Sequence, residues 1–166
     1  MASVAAAGFD ALMRDIVAAC GDHYGGRLVS VAVFGSVGRG TPRPDSDVDL
    51  LVVAERLPAG RLARVGDFAP VETAVEPELL AMRRAGFNPT LSPVLKTPDE
   101  IRQGSPLLLD MTQDAVCLFD RDGFLAGQLA LLRQRLADLG ARRIWRGNAW
   151  LWDLKPDMRP GEVFDL

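Results

Sequence analysis

The chain is poor in the side chains that build most soft-metal and redox centres. Of its 166 residues one is histidine, His23, and two are cysteines, Cys20 and Cys117. A single imidazole excludes any cluster that needs several and argues against zinc chemistry. His23 sits near Gly21 and Gly25 at the end of a helical pattern, where a surface or C-cap role is expected. The cysteines lie far apart among apolar neighbours and form no CxxC pair, so both are expected to be buried reduced thiols. No run approaches the ~18 uninterrupted apolar residues of a membrane span. The Ala-rich stretch Val4–Ala7 reaches Asp10 and Arg14 too soon for a signal-peptide core, so the expected location is the cytoplasm, with no membrane partner. Positive charge is not in excess: 19 Lys+Arg stand against 22 Asp+Glu, a net charge of −3, which disfavours nucleic-acid binding by charge alone. Lysine is scarce beside 17 arginines. With abundant Ala and Gly that bias equally reflects genomic base composition and carries no functional weight.

What remains is the make-up of an ordinary globular protein, 48% hydrophobic and 25% charged, in a length that suits one domain with a proper core. Phe9, Leu12, Met13, Ile16, Val17 and Cys20 follow helical spacing, which predicts an amphipathic helix ending near Gly21 to Gly26. Leu28–Phe34 reads as a strand. Val48–Val53 reads as a second, apolar on both faces and hence central. Ala59–Ala85 is helical in pattern but carries Pro70 and Pro77, which predicts two or three helical pieces. Asn88–Lys96 reads as an edge or irregular strand because of Pro89 and Pro93. Thr97-Pro98-Asp99-Glu100 has the form of a capping box with proline at the first helical position, and the helix is expected to continue through Leu107–Met111.

Ala115–Phe119 is expected as a short buried strand, and Phe124–Leu139 as a helix burying a leucine stripe. After Gly140 a short strand or turn and an extended arm hold Trp145, Trp150 and Trp152. Trp150 and Trp152 alternate as strand neighbours and are expected to cover the sheet, with base stacking as the sharper alternative. Arg133, Arg135, Arg142, Arg143 and Arg146 are expected on a solvated face. The order describes an α/β (α+β) fold, a mixed sheet flanked by helices in one domain spanning 1–166. Its core is expected over 1–120, and a C-terminal helix and Trp-rich tail over 121–166.

Chemistry concentrates in Phe34–Val53, FGSVGRGTPRPDSDVDLLVV. Asp47 and Asp49, two apart at a strand, project from one face, and two unpaired carboxylates there attract a hard divalent cation such as Mg²⁺. A bare DxD is weak evidence, since such pairs are more often solvated turns. Gly35 and Ser36 strengthen it: they follow a buried strand and open a short helix, where N–H groups and a hydroxyl can hold a phosphate. Arg39 lies one turn after Ser36, within reach of the same phosphate. Asp45 is expected only to shape the turn. The glycines run GxxGxG rather than GxGxxG and no lysine follows, which sets aside dinucleotide-binding and P-loop readings.

GS, ten intervening residues and DxD in strand-loop-strand resembles the nucleotidyltransferase superfamily of DNA polymerase β and its small stand-alone members. The resemblance is close over GSVGRGTPRPDSDVDLLV. It implies transfer of a nucleoside monophosphate from ATP or another NTP to an acceptor hydroxyl. Asp47 and Asp49 would be the catalytic carboxylates holding two Mg²⁺ ions, with Gly35, Ser36 and Arg39 on the phosphates. The outer segments SPLLLDMTQDAVCLFDRDGFL and WDLKPDMRPGEVFDL are similar to a branch of minimal proteins associated with HEPN-family partners in toxin–antitoxin pairs. One departure stands out. The superfamily supplies a third carboxylate from a later strand, and Leu91-Ser92-Pro93-Val94-Leu95 contains no acid. Glu72, Glu76, Asp114 and Asp120 are candidate substitutes, each with surface charge as the simpler reading. Two alternatives therefore stand beside AMP transfer to a HEPN-type toxin. One is a docking module of the same fold; the other is transfer to a small molecule, which would need a wall supplied by a homodimer.

Overall fold

A computed structural model describes residues 2–147, 149–159 and 162–163. Helix α1 (Ala2–Tyr24) leads into β1 (Leu28–Phe34), the one-turn α2 (Gly35–Gly38) and β2 (Val48–Ala54). Then follow α3 (Arg61–Arg84), β3 (Leu91–Lys96), α4 (Pro98–Arg102), α5 (Pro106–Asp114), β4 (Val116–Asp120) and α6 (Phe124–Asp138). A hairpin of β5 (Arg142–Arg146) and β6 (Ala149–Asp153) completes the described elements. The main sheet runs β3-β2-β1-β4, with β1 antiparallel to β2 and β4, and β2 parallel to β3.

Strand alternation sorts the core into two layers. Val48, Leu50 and Val52 face α1 and α3, packing with Leu12, Ile16 and Phe68. Leu51 and Val53 face the other way, onto Ile101, Leu108, Met111, Leu125 and Leu129 of α4, α5 and α6. The fold is thus a mixed α/β layered domain with β2 buried on both faces, as its apolar run predicts. Asp49 belongs to the α5 face by the same alternation. No helix among the described residues is long and apolar enough to cross a membrane.

Several expectations need correction. Residues 61–84 form one helix with both prolines inside it. Pro70 and Pro77 are two turns apart on its exposed face, so the hydrogen bonds they forfeit fall on the solvent side. Phe68, Val71, Val75, Leu79 and Met82 meanwhile anchor the opposite face. The Thr97–Glu100 capping box forms, but α4 stops at Arg102. Gly104, at φ +81°, turns the chain, and Ser105 caps a separate α5. Strand β4 is an exposed edge rather than a buried strand, and Cys117 on it is exposed while Cys20 is buried. Burial pushes the Cys20 thiol up to about 12, which keeps it protonated and inert.

His23 is half-buried at the end of α1, 3.7 Å from Asp67 of α3. Trp150 and Trp152 do not cover the main sheet; they sit in the separate hairpin, which turns toward α5. Asn148, and Pro160, Gly161 and Phe164–Leu166 of the expected arm, lie outside the described residues.

Candidate active site

The two halves of the GS–DxD motif meet because β1 and β2 are antiparallel: the end of β1 lies beside the start of β2, with Phe34 paired to Asp49. Between them the chain makes its turn at Gly35, whose φ is +67°. A Cβ there would stand 2.3 Å from Asp49 Oδ2, so conformation and close approach both demand glycine. The loop is closed by its own backbone, with Arg39 N–H donating to Gly35 O at 3.1 Å and Thr41 N–H to Ser36 O at 2.9 Å. Asp45 lies in a turn that Ser46 closes by accepting at its hydroxyl from Arg43 N–H at 2.8 Å. Gly38 is a requirement that the sequence reading passed over. A Cβ on it would lie 2.3 Å from the carbonyl oxygen of Asp114, so the end of α5 packs directly on the loop.

A cavity of about 420 Å³ opens at this end of the sheet. One wall is Phe34, Gly35, Ser36, Arg39, Asp47 and Asp49, so all five residues expected from the motif line one space. The opposite wall is Leu107, Asp110 and Asp114 of α5 with Trp150 of β6. Asp47 is exposed and Asp49 half-buried. Burial raises the Asp49 pKa above its ordinary 3.8, and the charge of Asp47 adds to the rise; the Ser92 hydroxyl and the Arg39 guanidinium oppose it. Four carboxylates thus share the cavity with one guanidinium.

Arg39 is not free. Its Nη1 donates to Asp114 Oδ2 at 2.8 Å, and its guanidinium lies 5.6 Å from the Trp150 ring centre. Asp114 is 7% exposed and also faces Arg143 Nη1 at 3.5 Å, so it is a buried ion-pair centre rather than a surface charge. Arg143 in turn lies 4.7 Å from the Trp150 ring centre and 5.5 Å from that of Trp152. It is packed against aromatics, not solvated as expected. Both indole Nε1–H groups donate to Asp110 Oδ1, at 2.8 and 2.9 Å, and fix the hairpin to α5.

Asp110 is the residue that sequence reasoning missed, and Trp150, weighed there for base stacking, meets α5 rather than the main sheet. Asp110 and Asp114 are four apart in SPLLLDMTQD, a helical spacing that puts both on one face. Trp150 and Trp152 share one side of a strand. Those two signals were present, but nothing local says which layer they meet.

The third carboxylate is absent from β3, where Ser92 pairs with Asp49 in register. Of the four candidate substitutes three lie elsewhere, and Asp114 lines the cavity but is engaged by Arg39 and Arg143. Glu76 pairs with Arg83 at 2.9 Å on α3, and Glu72 lies on that same helix in the other layer. Asp120 accepts from the Ser30 hydroxyl at 2.6 Å and caps α6 through the N–H groups of Leu125 and Ala126. Among the described residues no three His, Cys, Asp or Glu side chains are arranged to hold a metal. The Asp47–Asp49 pair still suits Mg²⁺. That ion takes oxygen ligands, commonly uses one or two carboxylates, and completes its shell with water and substrate phosphate.

Comparison with known proteins identifies a family for the sequence. Residues 13–98 match the family described as Nucleotidyltransferase domain. A curated relative, Putative protein adenylyltransferase MJ1305 of Methanocaldococcus jannaschii, is 31% identical over 124 residues, covering 74% of this chain and 79% of that protein. Among solved structures, one described as the toxin-antitoxin with AMP-PNP aligns with a TM-score of 0.47 at 17% identity. It covers 77% of this chain and 92% of its own. Another, described as the toxin-antitoxin MntA-HepT, gives 0.43 at 15% identity, covering 79% of this chain and 92% of that one. A mixed sheet that brings GS and DxD to one cavity, with a family match across half the chain, places this protein in the nucleotidyltransferase domain family: it is a nucleotidyltransferase.

Proposed function

We propose that the chain transfers a nucleoside monophosphate, AMP from ATP, to a hydroxyl of a partner protein, and that the partner is a HEPN-type toxin restrained by the modification. The carrying observation is the single cavity that gathers Gly35, Ser36, Asp47 and Asp49. Its size, about 420 Å³, falls in the range of small-molecule sites. The protein acceptor and the adenylyl group follow from the likeness to the curated protein adenylyltransferase. The HEPN-type partner follows from the outer segments around Ser105–Leu125 and Trp152–Leu166, and the cytoplasm is the compartment this chemistry suits.

Asp47 and Asp49 would hold Mg²⁺, two ions by resemblance, which would supply charge neutralisation to the triphosphate and acidity to the acceptor hydroxyl. Gly35 and Ser36 bind the β and γ phosphates. Four carboxylates outnumber Arg39 and the Arg143 that backs Asp110 and Asp114, so the net acidic cavity repels a triphosphate unless that cation is present. In the transfer the acceptor oxygen bonds to the α phosphorus, the bond to the pyrophosphate oxygen breaks, and the hydroxyl proton passes to solvent or a nearby base. Arg39, expected on the phosphates, must share its charge with Asp114; its first duty is to hold α5 and Trp150 against the loop.

The test is to incubate the chain with Mg²⁺, each of the four NTPs in turn and a candidate HEPN-type partner protein, and to read the partner's intact mass. The expected result is a gain of one AMP with ATP alone, lost in Asp47→Asn/Asp49→Asn while the two proteins still bind. A second reading rests on β3, which pairs with β2 through Ser92 opposite Asp49 and Val94 opposite Leu51 and carries no acid where the resemblance implies a third carboxylate. It is neutralisation of the partner by docking alone, and unmodified but tightly bound partner with every NTP would establish it.

A further inference from the structure

The cavity lining combines two chemically different sets of residues. The loop Gly35–Ser36 and the Asp47–Asp49 pair are suited to phosphate through a cation, whereas α5 and the hairpin contribute Leu107, the Trp150 ring and Asp110. Asp110 does not join Asp47 and Asp49 in a three-carboxylate metal cluster among the described residues. A carboxylate without a cation repels phosphate; toward a nucleotide it then acts as a hydrogen-bond acceptor, and the donors that a nucleoside triphosphate offers are its sugar hydroxyls and base N–H groups.

Asp110 is also held in a defined way. Trp150 and Trp152 both donate to Oδ1, at 2.8 and 2.9 Å, and Arg143 Nη2 lies 3.6 Å from the same oxygen. The described residues give Oδ2 no partner, and the side chain is 41% exposed on the cavity wall. Asp114, one turn along α5, differs: it is buried and engaged by Arg39 and Arg143. The hairpin therefore fixes one oxygen of Asp110 and leaves the other for ligand, a preorganised acceptor on a rigid helix.

We propose that Asp110 is a specificity-determining residue of the nucleotide site, with its free oxygen accepting a hydrogen bond from a donor group of the nucleoside, a sugar hydroxyl or the base amine. This rests on the cavity being the nucleotide site. The β5–β6 hairpin is then part of that site, because its indoles set the orientation of the acid.

The experiment is calorimetric titration, with Mg²⁺ throughout, of a non-hydrolysable ATP analogue, its 2′-deoxy and 3′-deoxy forms, the corresponding purine analogue without the 6-amino group, and inorganic tripolyphosphate. The variant is Asp110→Asn, whose amide oxygen can still accept from the indoles while its NH₂ replaces the free acceptor. One trimmed analogue should bind wild type about tenfold more weakly or worse, the loss of one hydrogen bond to a charged acceptor, and its identity names the donor. In Asp110→Asn the parent analogue should weaken by a similar factor, the discrimination should vanish, and tripolyphosphate should bind at least as well as to wild type, since one carboxylate fewer faces it.

Wild type binding all four nucleotides alike would overturn the inference, as would discrimination that survives in Asp110→Asn. So would equal weakening of tripolyphosphate, which would make Asp110 a mere support of the wall. Trp152→Phe guards against hairpin displacement: it keeps the acid and the Trp150 donor that still fixes its Oδ1, so the discrimination should persist, and its loss there would assign specificity to the hairpin instead. Binding of tripolyphosphate but of no nucleotide more tightly sinks the Asp110 role alone. Binding of neither sinks the nucleotide cavity and the inference with it.

Discussion

Gly35→Ala separates the cost of folding from the cost of function. The alanine Cβ would stand 2.3 Å from Asp49 Oδ2 and 3.3 Å from its Cγ, at a backbone φ of +67°. The conformational penalty for a side chain in the left-handed region is about 1–2 kcal/mol. The clash itself is with the end of a side chain that can retreat, so it adds little to that sum. At about 2–4 °C per kcal/mol in a chain of this size, the melting temperature should fall by about 2–8 °C. Function should suffer more. To regain ordinary contact the carboxylate must withdraw by about 1 Å, and a displacement of that size in a reacting site costs about a hundredfold. Gly38→Ala is the contrast, because its Cβ meets backbone, Asp114 O at 2.3 Å and Val33 O at 3.0 Å, which cannot step aside. There the fold should lose about 3 kcal/mol or more. Thermal melting and Mg²⁺-dependent titration of a non-hydrolysable ATP analogue, run on both variants, read the two costs. Unchanged nucleotide binding in Gly35→Ala, or a melting loss as large as that of Gly38→Ala, would refute the argument that Gly35 exists to admit the Asp49 carboxylate.

Other variants probe the same structure. Without cation, Asp49→Asn should melt higher than wild type at neutral pH. The raised Asp49 pKa means its favourable share is present below 3.8 and lost as pH rises through the folded value, so the variant's advantage should shrink toward acid and reverse when Mg²⁺ is added. Glu100→Ala should cost about 1–2 kcal/mol, because it removes both the return half of the α4 capping box and the carboxylate that Arg64 Nη1 meets at 2.7 Å. The Arg64 hydrogen bond holds the Glu100 pKa below its ordinary 4.5. Its contribution is therefore complete above that value and lost as pH falls through the folded one, which acid titration of the melting temperature in wild type and variant would show. Pro70→Ala should raise stability by about 1–3 kcal/mol by restoring a helix hydrogen bond; a neutral or destabilising result in urea unfolding would mean that α3 is broken there.

The motif and the sheet were legible because each rests on local pattern. The β-branched run Leu28–Phe34 between glycines and the unbroken apolar run of Val48–Val53 mark the two strands, the second as central, and the Gly35-Ser36 to Asp47/Asp49 spacing marks the candidate site between them. The unbroken α3 was not legible from its prolines. Whether a proline breaks a helix depends on which face it occupies, and here α1 holds the other face. The second wall of the cavity was harder still. Asp110 and Trp150 lie forty residues apart and meet only when the hairpin folds back on α5, a long-range contact with no periodicity to announce it. Arg39 shows the same limit: its place beside Ser36 was readable, whereas its buried partner Asp114 was not.

The central claim is that Asp47 and Asp49 make the cavity a cation-dependent nucleotide site, and titrating a non-hydrolysable ATP analogue with and without Mg²⁺ tests it most directly. The account predicts saturable one-to-one binding that requires the cation and disappears in Asp47→Asn/Asp49→Asn. Equal binding without Mg²⁺, or undiminished binding by that double variant, would contradict it.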